Sequence, residues 1–440
     1  MQSKDIIVAP ATALGGAIAV IRMSGEGSVA LCNRIFKGRK PLSEAKSHTI
    51  HYGTVCDGER IVDDVVAAVF RAPHSYTGEE SVEISIHGSR YIAQEVIRLL
   101  CEQGARMALA GEFSQRALAT GRIDLSQAEA VADLIAAESH AAHAVASTQM
   151  RGGYSEMLEG LRKELLNITT LLELDFSEED VEFADRAKLR SMLKKTDDAV
   201  VRLMESFKVG NAIREGVAVA IVGRPNVGKS TLLNRLVGDD RAMVSDIAGT
   251  TRDTFEESVV IDDIRFRFVD TAGLHDTDDK LEKMGIERTE KAIQKAQIVL
   301  YMTEPEQREL ELPALGSEQT LLLVVNKIDT SAERNLEGAI YISAREGKGV
   351  DELRKAIRAT VDTEGLYRGE VVVSNMRHFE ALNRAHRDMT QAIAALDMGI
   401  SEELLAEDIR SAITALAEIT GRITNEDILK NIFSHFCIGK

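Results

Sequence analysis

The chain has 440 residues, 44% hydrophobic and 28% charged, a globular composition with length for about three domains. Its net charge of −17, with no basic stripe, argues against a protein that grips nucleic acid mainly through its own surface; any RNA would be held largely by another subunit. No apolar run approaches bilayer-spanning length, no signal-peptide pattern opens the chain, and the four scattered cysteines fit neither a disulfide framework nor a metal site, so a reduced cytoplasmic setting is expected.

Residues 1–118 read as a compact α+β domain. Short apolar runs at 6–9 and 17–21, parted by Gly15-Gly16, are followed by strand patterns at 65–70 and 82–86. Ile92, Val96, Leu99 and Leu100 then share one face of a helix. From 119 to 212 the period is helical: Ser126 and Glu129 form a capping-box pattern, and Leu158, Leu161, Leu165, Ile168 and Leu172 make a packed stripe. The acidic segment 178–182 reads as a solvated connector. From 213 to 362 strands and helices alternate, as in a parallel sheet covered on both faces. Helices return over 363–440, with Leu405, Ile409, Ala412, Leu416 and Ile419 on one stripe. The fold class expected is therefore multidomain: an N-terminal α+β domain, a helical bundle, and an α/β nucleotide domain inserted between the two halves of that bundle. Four independent units in a row are the alternative.

The inserted segment carries the chemistry. Gly223-Arg224-Pro225-Asn226-Val227-Gly228-Lys229-Ser230 has phosphate-loop spacing, between an apolar strand at 217–222 and a helix that continues through Thr231. Glycines let amide N–H groups face a polyphosphate, Lys229 adds charge, and Ser230 offers a hydroxyl to magnesium. Ser245, Asp246, Ile247, Ala248, Gly249, Thr250 and Thr251 form the next loop, where a threonine hydroxyl can reach the magnesium when a γ-phosphate is bound. Asp270-Thr271-Ala272-Gly273 follows a strand, with Asp270 placed for magnesium through water and Gly273 for the γ-phosphate. Asn326-Lys327-Ile328-Asp329 ends another strand, and the Asp329 carboxylate can accept both edge protons of guanine. A backbone N–H at Ser343-Ala344, next to Arg345, can meet the guanine oxygen. Each tetrad is weak alone, but their order and strand-end placement point to GTP. The segment resembles the translation-factor-related GTPases.

Leu274 stands where Ras-like enzymes carry the glutamine that positions water. An aliphatic side chain cannot do that, which turns attention to the polar segment 275–282 and to Asn226. The Asn226 amide oxygen can hold a monovalent cation near the phosphates; a loop-stabilising hydrogen bond is the plainer reading.

The ending Phe436-Cys437-Ile438-Gly439-Lys440 joins Ser75-Tyr76-Thr77-Gly78-Glu79-Glu80, Gly111-Glu112-Phe113-Ser114, the stretch 124–130 and the stretch 247–253 in a resemblance to the MnmE (TrmE) family of tRNA modification GTPases, over essentially the whole chain. The resemblance implies a GTP hydrolase that works with MnmG, a flavin- and NADH-using partner. Together they add an aminomethyl or carboxymethylaminomethyl group to carbon 5 of the tRNA wobble uridine, with a tetrahydrofolate derivative (5,10-methylene or 5-formyl form) as cofactor. It implies magnesium on Ser230 and Thr251, potassium on Asn226, Ser245, Ile247 and Thr250, and Glu282 acting on the attacking water. It implies a folate-binding, homodimeric N-terminal domain with Arg22, Glu83, Arg122 and Lys440 at the folate. Cys437 can attack uracil as a nucleophile or hold a structural role. The sequence departs from the family pattern at Ser245 (often threonine), Ala13-Leu14-Gly15-Gly16 and His87-Gly88-Ser89. The alternative function is a GTP-dependent binding switch in ribosome assembly without small-molecule chemistry.

Overall fold

The computed structural model describes residues 5–175, 186–241, 257–269, 282–307, 310–317, 319–331, 336–361, 371–400, 402–423, 426–434, 436 and 439. The chain divides into two compact units, residues 1–132 with 417–440, and residues 133–416.

The first unit is built on a seven-stranded sheet, ordered β3-β4-β5-β6-β2-β1-β7. Its strands are β1 (Ile6–Pro10), β2 (Ile18–Ser24), β3 (Phe36–Gly38), β4 (Thr49–Asp57), β5 (Arg60–Phe70), β6 (Ser81–His87) and β7 (Ala105–Met107). All neighbours are antiparallel except β1 and β7. Period-two alternation buries Ala19, Ile21 and Met23 of β2 and Val82, Ile84 and Ile86 of β6 against Ala93, Val96, Leu99 and Leu100 of helix α2 (Arg90–Glu102). The same alternation turns Arg22 and Glu83 to the other face. The nine-residue β4 has no counterpart in the sequence reading: its outward Ile50 and Tyr52 are exposed, which hides the strand from a search for apolar runs.

Helix α3 (Glu112–Ala119) and the start of α4 (Leu125–Ala136) complete this unit. The capping box at α4 lies two residues earlier than Ser126 and Glu129. The Asp124 carboxylate accepts from Gln127 N–H at 2.9 Å, and the Gln127 side chain accepts from Asp124 N–H at 2.9 Å. Ser126 and Glu129 are buried inside the helix instead. The last helix (Glu426–Ser434) packs here too, with Phe433 and Phe436 against Leu125 and Ala128.

In the second unit, a six-stranded sheet runs β13-β12-β11-β8-β10-β9. Its elements are β8 (Val217–Gly223), α8 (Lys229–Arg241), β9 (Glu257–Ile261), β10 (Ile264–Phe268), α9 (Glu282–Lys295), β11 (Ile298–Thr303), β12 (Thr320–Val325), β13 (Ile340–Tyr341) and α10 (Val350–Ala359). Only the β9–β10 hairpin is antiparallel. Apolar clusters cover both faces, which explains why β8 reads as an unbroken hydrophobic run. β8 lies between β11 and β10, where the order reverses, so its carboxyl end opens a crevice for a ligand.

The helices before and after this domain pack together, so the nucleotide domain is an insertion. Helix α7 (Arg186–Glu215) lies along α11 (Met376–Asp397): Phe207 stacks on Phe379 at 4.4 Å between ring centroids, and Asp197 bonds His386. From α5 (His140–Met150), the Gln149 amide donates to Val372 O at 3.1 Å. The acidic segment 178–182 lies outside the described residues.

Candidate nucleotide and ligand sites

The loop between β8 and α8 takes its shape from two glycines. A Cβ on Gly223 (φ +147°) would lie 2.3 Å from Met302 O, and one on Gly228 (φ +100°) 2.3 Å from the Asn326 amide nitrogen. Between them, Asn226 sits in the left-handed region at φ 62°. Its side chain is exposed and makes no hydrogen bond to any described residue, so no such bond accounts for it among them. Val227 is buried, while Lys229 curls back and donates to Gly223 O at 2.8 Å and Arg224 O at 3.0 Å. Burial pushes the Lys229 ammonium below its ordinary value; an anion in the loop would favour the charged form. Ser230 and Thr231 follow in the first turn of α8, where helix N–H groups have no intrahelical partners. The Ser230 hydroxyl at that position is chemically suited to a magnesium ion.

Asn326 links this loop to the one after β13. Its buried amide donates to Val227 O at 2.8 Å and accepts from Ala344 N–H at 2.9 Å. Lys327, at φ 68°, is ion-paired with Glu304, a partner with no sequence signal. Hydrogen bonds from Ser343 and from its own backbone N–H, with the charges of Arg345 and Lys348, hold the Asp329 carboxyl below the usual carboxylate range, and they outweigh desolvation. Asp329 is thus an ionised acceptor beside the loop 343–345.

The amides of Ser343 and Ala344, expected at the guanine oxygen, are bonded within the chain. Ser343 N–H goes to Lys348 O at 2.9 Å and Ala344 N–H to Asn326. Glu346 and Gly347 N–H both go to Ser343. Within 343–347, Arg345 N–H is the amide left without a partner among the described residues. The candidate residues Ser245, Asp246, Ile247, Ala248, Gly249, Thr250, Thr251, Asp270, Thr271, Ala272 and Gly273 lie outside the described residues, as do Cys437 and Lys440. Glu282 is described only as the first residue of α9.

A second constellation lies on the face of the first unit's sheet opposite α2. Arg22 Nε donates to Glu83 Oε1 at 2.8 Å, and its Nη1 to the carbonyl of buried Gly439 at 3.4 Å. Its guanidinium stands 5.2 Å from the Tyr76 ring centre and 5.8 Å from that of Phe113. Tyr76 also lines a cavity of about 370 Å³ with Arg122, His48, Phe70, His74, Ser75 and Ile123. Tyr76 thus stands between Arg22, which holds Glu83 and the tail residue Gly439, and the cavity that Arg122 lines. The motif residues that flank Tyr76 act structurally. Ser75 bonds Glu79 O, Glu79 pairs with Arg116, Tyr76 bonds Ser114, and Glu112 pairs with Arg106 and Arg116.

Profiles and relatives agree on the kind of chain this is. One family, described as "MnmE helical domain", matches residues 125–437, and another, "GTP-binding protein TrmE N-terminus", matches residues 6–122. The "tRNA modification GTPase MnmE" of Bacteroides thetaiotaomicron is 46% identical over all of both chains, and the protein of the same name from Bacteroides fragilis is 47% identical over all of both. The Flavobacterium johnsoniae protein of that name is 46% identical, again end to end.

Proposed function

The chain belongs to the MnmE family of tRNA modification GTPases, and from that premise we propose that it hydrolyses GTP in the service of tRNA wobble-uridine modification. The observation that carries the reading is Asn326, whose two hydrogen bonds fasten the phosphate loop at Val227 to the base loop at Ala344. Phosphate and guanine recognition thereby share one frame, with Asp329 ionised beside it. Lys229 binds the outer phosphates. Ser230 and Thr251 hold the magnesium ion, which when bound neutralises charge on the phosphate oxygens. Asn226, exposed at the crest of the loop, holds potassium with Ser245, Ile247 and Thr250, and Glu282 orients the attacking water in place of the glutamine that Leu274 lacks.

In the first unit, the ion pair of Arg22 and Glu83, the cavity at Arg122 and the tail at Gly439 support a tetrahydrofolate site completed by Lys440. A carboxylate matches the amino edge of a pterin, and basic groups match an acidic tail. Tyr52 and Val66, register partners on the open sheet face and both exposed, support self-association into a homodimer. The net charge of −17 favours a partner, MnmG, that holds most of the tRNA. Cys437 lies in the same tail and acts on the uracil or positions it. The test is GTP hydrolysis by the purified chain in potassium and in sodium. Faster turnover in potassium, lost in Asn226→Ala with nucleotide still bound, is expected; equal rates would return Asn226 to an ordinary loop residue.

A further inference from the structure

Arg235 lies on α8, six residues beyond Lys229, and its aliphatic neighbours Leu232, Leu233 and Leu236 are sealed in the core under the sheet. Its guanidinium leaves that helix and reaches the base loop. Nη2 donates to Arg345 O at 2.9 Å, and Nε makes a longer contact with Ala344 O at 3.4 Å. A second arginine braces in the opposite direction: Arg354 of α10 donates to Leu236 O at 3.0 Å. The helix that starts at the phosphate loop and the segment that surrounds the base are thus cross-linked on either side.

The Ala344 carbonyl and the Arg345 N–H belong to one peptide group. In a planar trans peptide these two dipoles point in opposite directions. Holding the carbonyl toward α8 therefore turns the N–H away from it. Within 343–347 that N–H is the amide without a partner among the described residues, since its neighbours at Ser343, Ala344, Glu346 and Gly347 are all committed within the chain.

We infer that Arg235 is a positioning residue for guanine recognition, which fixes the 344–345 peptide so that Arg345 N–H meets the carbonyl oxygen of the bound base. The inference rests on the GTP-binding reading and adds a division of labour to it. Asp329 reads the protons on one side of the base, and Arg345 N–H, aimed by Arg235, reads the oxygen on the other.

The test compares two diphosphates on the full chain by equilibrium titration: GDP, and the 2-aminopurine riboside diphosphate, which keeps the 2-amino group and the phosphates but lacks the oxygen and, with it, the N1 proton, so each ligand is compared with itself in the two proteins. In Arg235→Met, GDP affinity should fall about ten-fold, the scale of one charge-assisted hydrogen bond, while the 2-aminopurine nucleotide changes less than about two-fold. Arg235→Lys, which restores a donor, should recover most of the loss. Equal loss for both ligands would make Arg235 a merely structural brace and overturn the inference, as would no loss for either. Failure of the unaltered chain to prefer GDP at all would instead sink the guanine reading on which it rests.

Discussion

Arg22 and Glu83 are direct register partners across β2 and β6, and both Nε and Nη2 of the arginine meet a single carboxylate oxygen, Oε1, at 2.8 Å. The pair sits on the face of the sheet that α2 does not cover, and it stays partly open to solvent. Such a pair contributes at most about 1 kcal/mol to stability. If its purpose is a ligand, Glu83→Ala and Arg22→Ala should each weaken binding of 5-formyl-tetrahydrofolate by at least about ten-fold, the scale of a charged hydrogen bond, while melting temperatures move little. Retained affinity with a large loss of stability would show the pair to be structural.

Asn326→Ala tests the weld between the two nucleotide loops. The substitution leaves a carbonyl and an N–H unpaired in a buried setting, a cost of about 1–3 kcal/mol for each group. Thermal melting should report that loss, and GDP should dissociate much faster. A stable variant with normal GDP affinity would mean that the loops are held in register by other contacts.

Asp329 gives a pH prediction. Its carboxyl is held below the ordinary 3.8, first by the Ser343 hydrogen bond. A depressed value favours the charged form, so GTP affinity should stay level as pH falls from 8 toward 4 and weaken only as the carboxylate takes up its proton. Removing the bond in Ser343→Ala should move that acid limb to higher pH. Superimposable profiles for the two proteins would show that Ser343 does not tune the carboxylate.

Glu112 should matter for folding rather than chemistry. Burial alone would raise its carboxyl, but bonds from Arg106, Leu109 N–H and Arg116 hold it below the ordinary 4.5. A group depressed in this way adds stability that is complete above its unfolded value and is lost as pH falls through the folded one. Glu112→Gln should therefore destabilise the first unit by about 3 kcal/mol at neutral pH, with the deficit shrinking in acid. A deficit constant from pH 7 to pH 3, measured by denaturant unfolding, would contradict this assignment.

The nucleotide domain was legible because its strands are buried on both faces and end in polar tetrads. Val217–Gly223 announces itself as an apolar run. β4 was not, since its outward positions carry Ile50 and Tyr52 without a clean polar alternation. The cap of α4 was misplaced because Ser126 and Glu129 satisfy the same spacing rule as Asp124 and Gln127; only the hydrogen bonds separate them. Asn326 and Asp329 were readable as a motif. Arg235 was not, because its role depends on which carbonyls fall within reach across 109 and 110 residues of chain. Tyr76 lies inside the motif 75–80, yet its place between Arg22 and the cavity at Arg122 is a property of folding alone.

The most direct test of the whole account is the wobble-uridine composition of tRNA from cells whose sole copy of this protein carries Lys229→Ala, beside cells with the unaltered chain at equal abundance. Lys229 lies in the phosphate loop and bonds only loop carbonyls among the described residues, so the variant should lose nucleotide turnover while keeping its fold. The account predicts that the carbon-5 modification disappears in the variant and is present with the unaltered chain. Full modification in the Lys229→Ala cells would contradict it, because tRNA modification would then proceed without the GTP site.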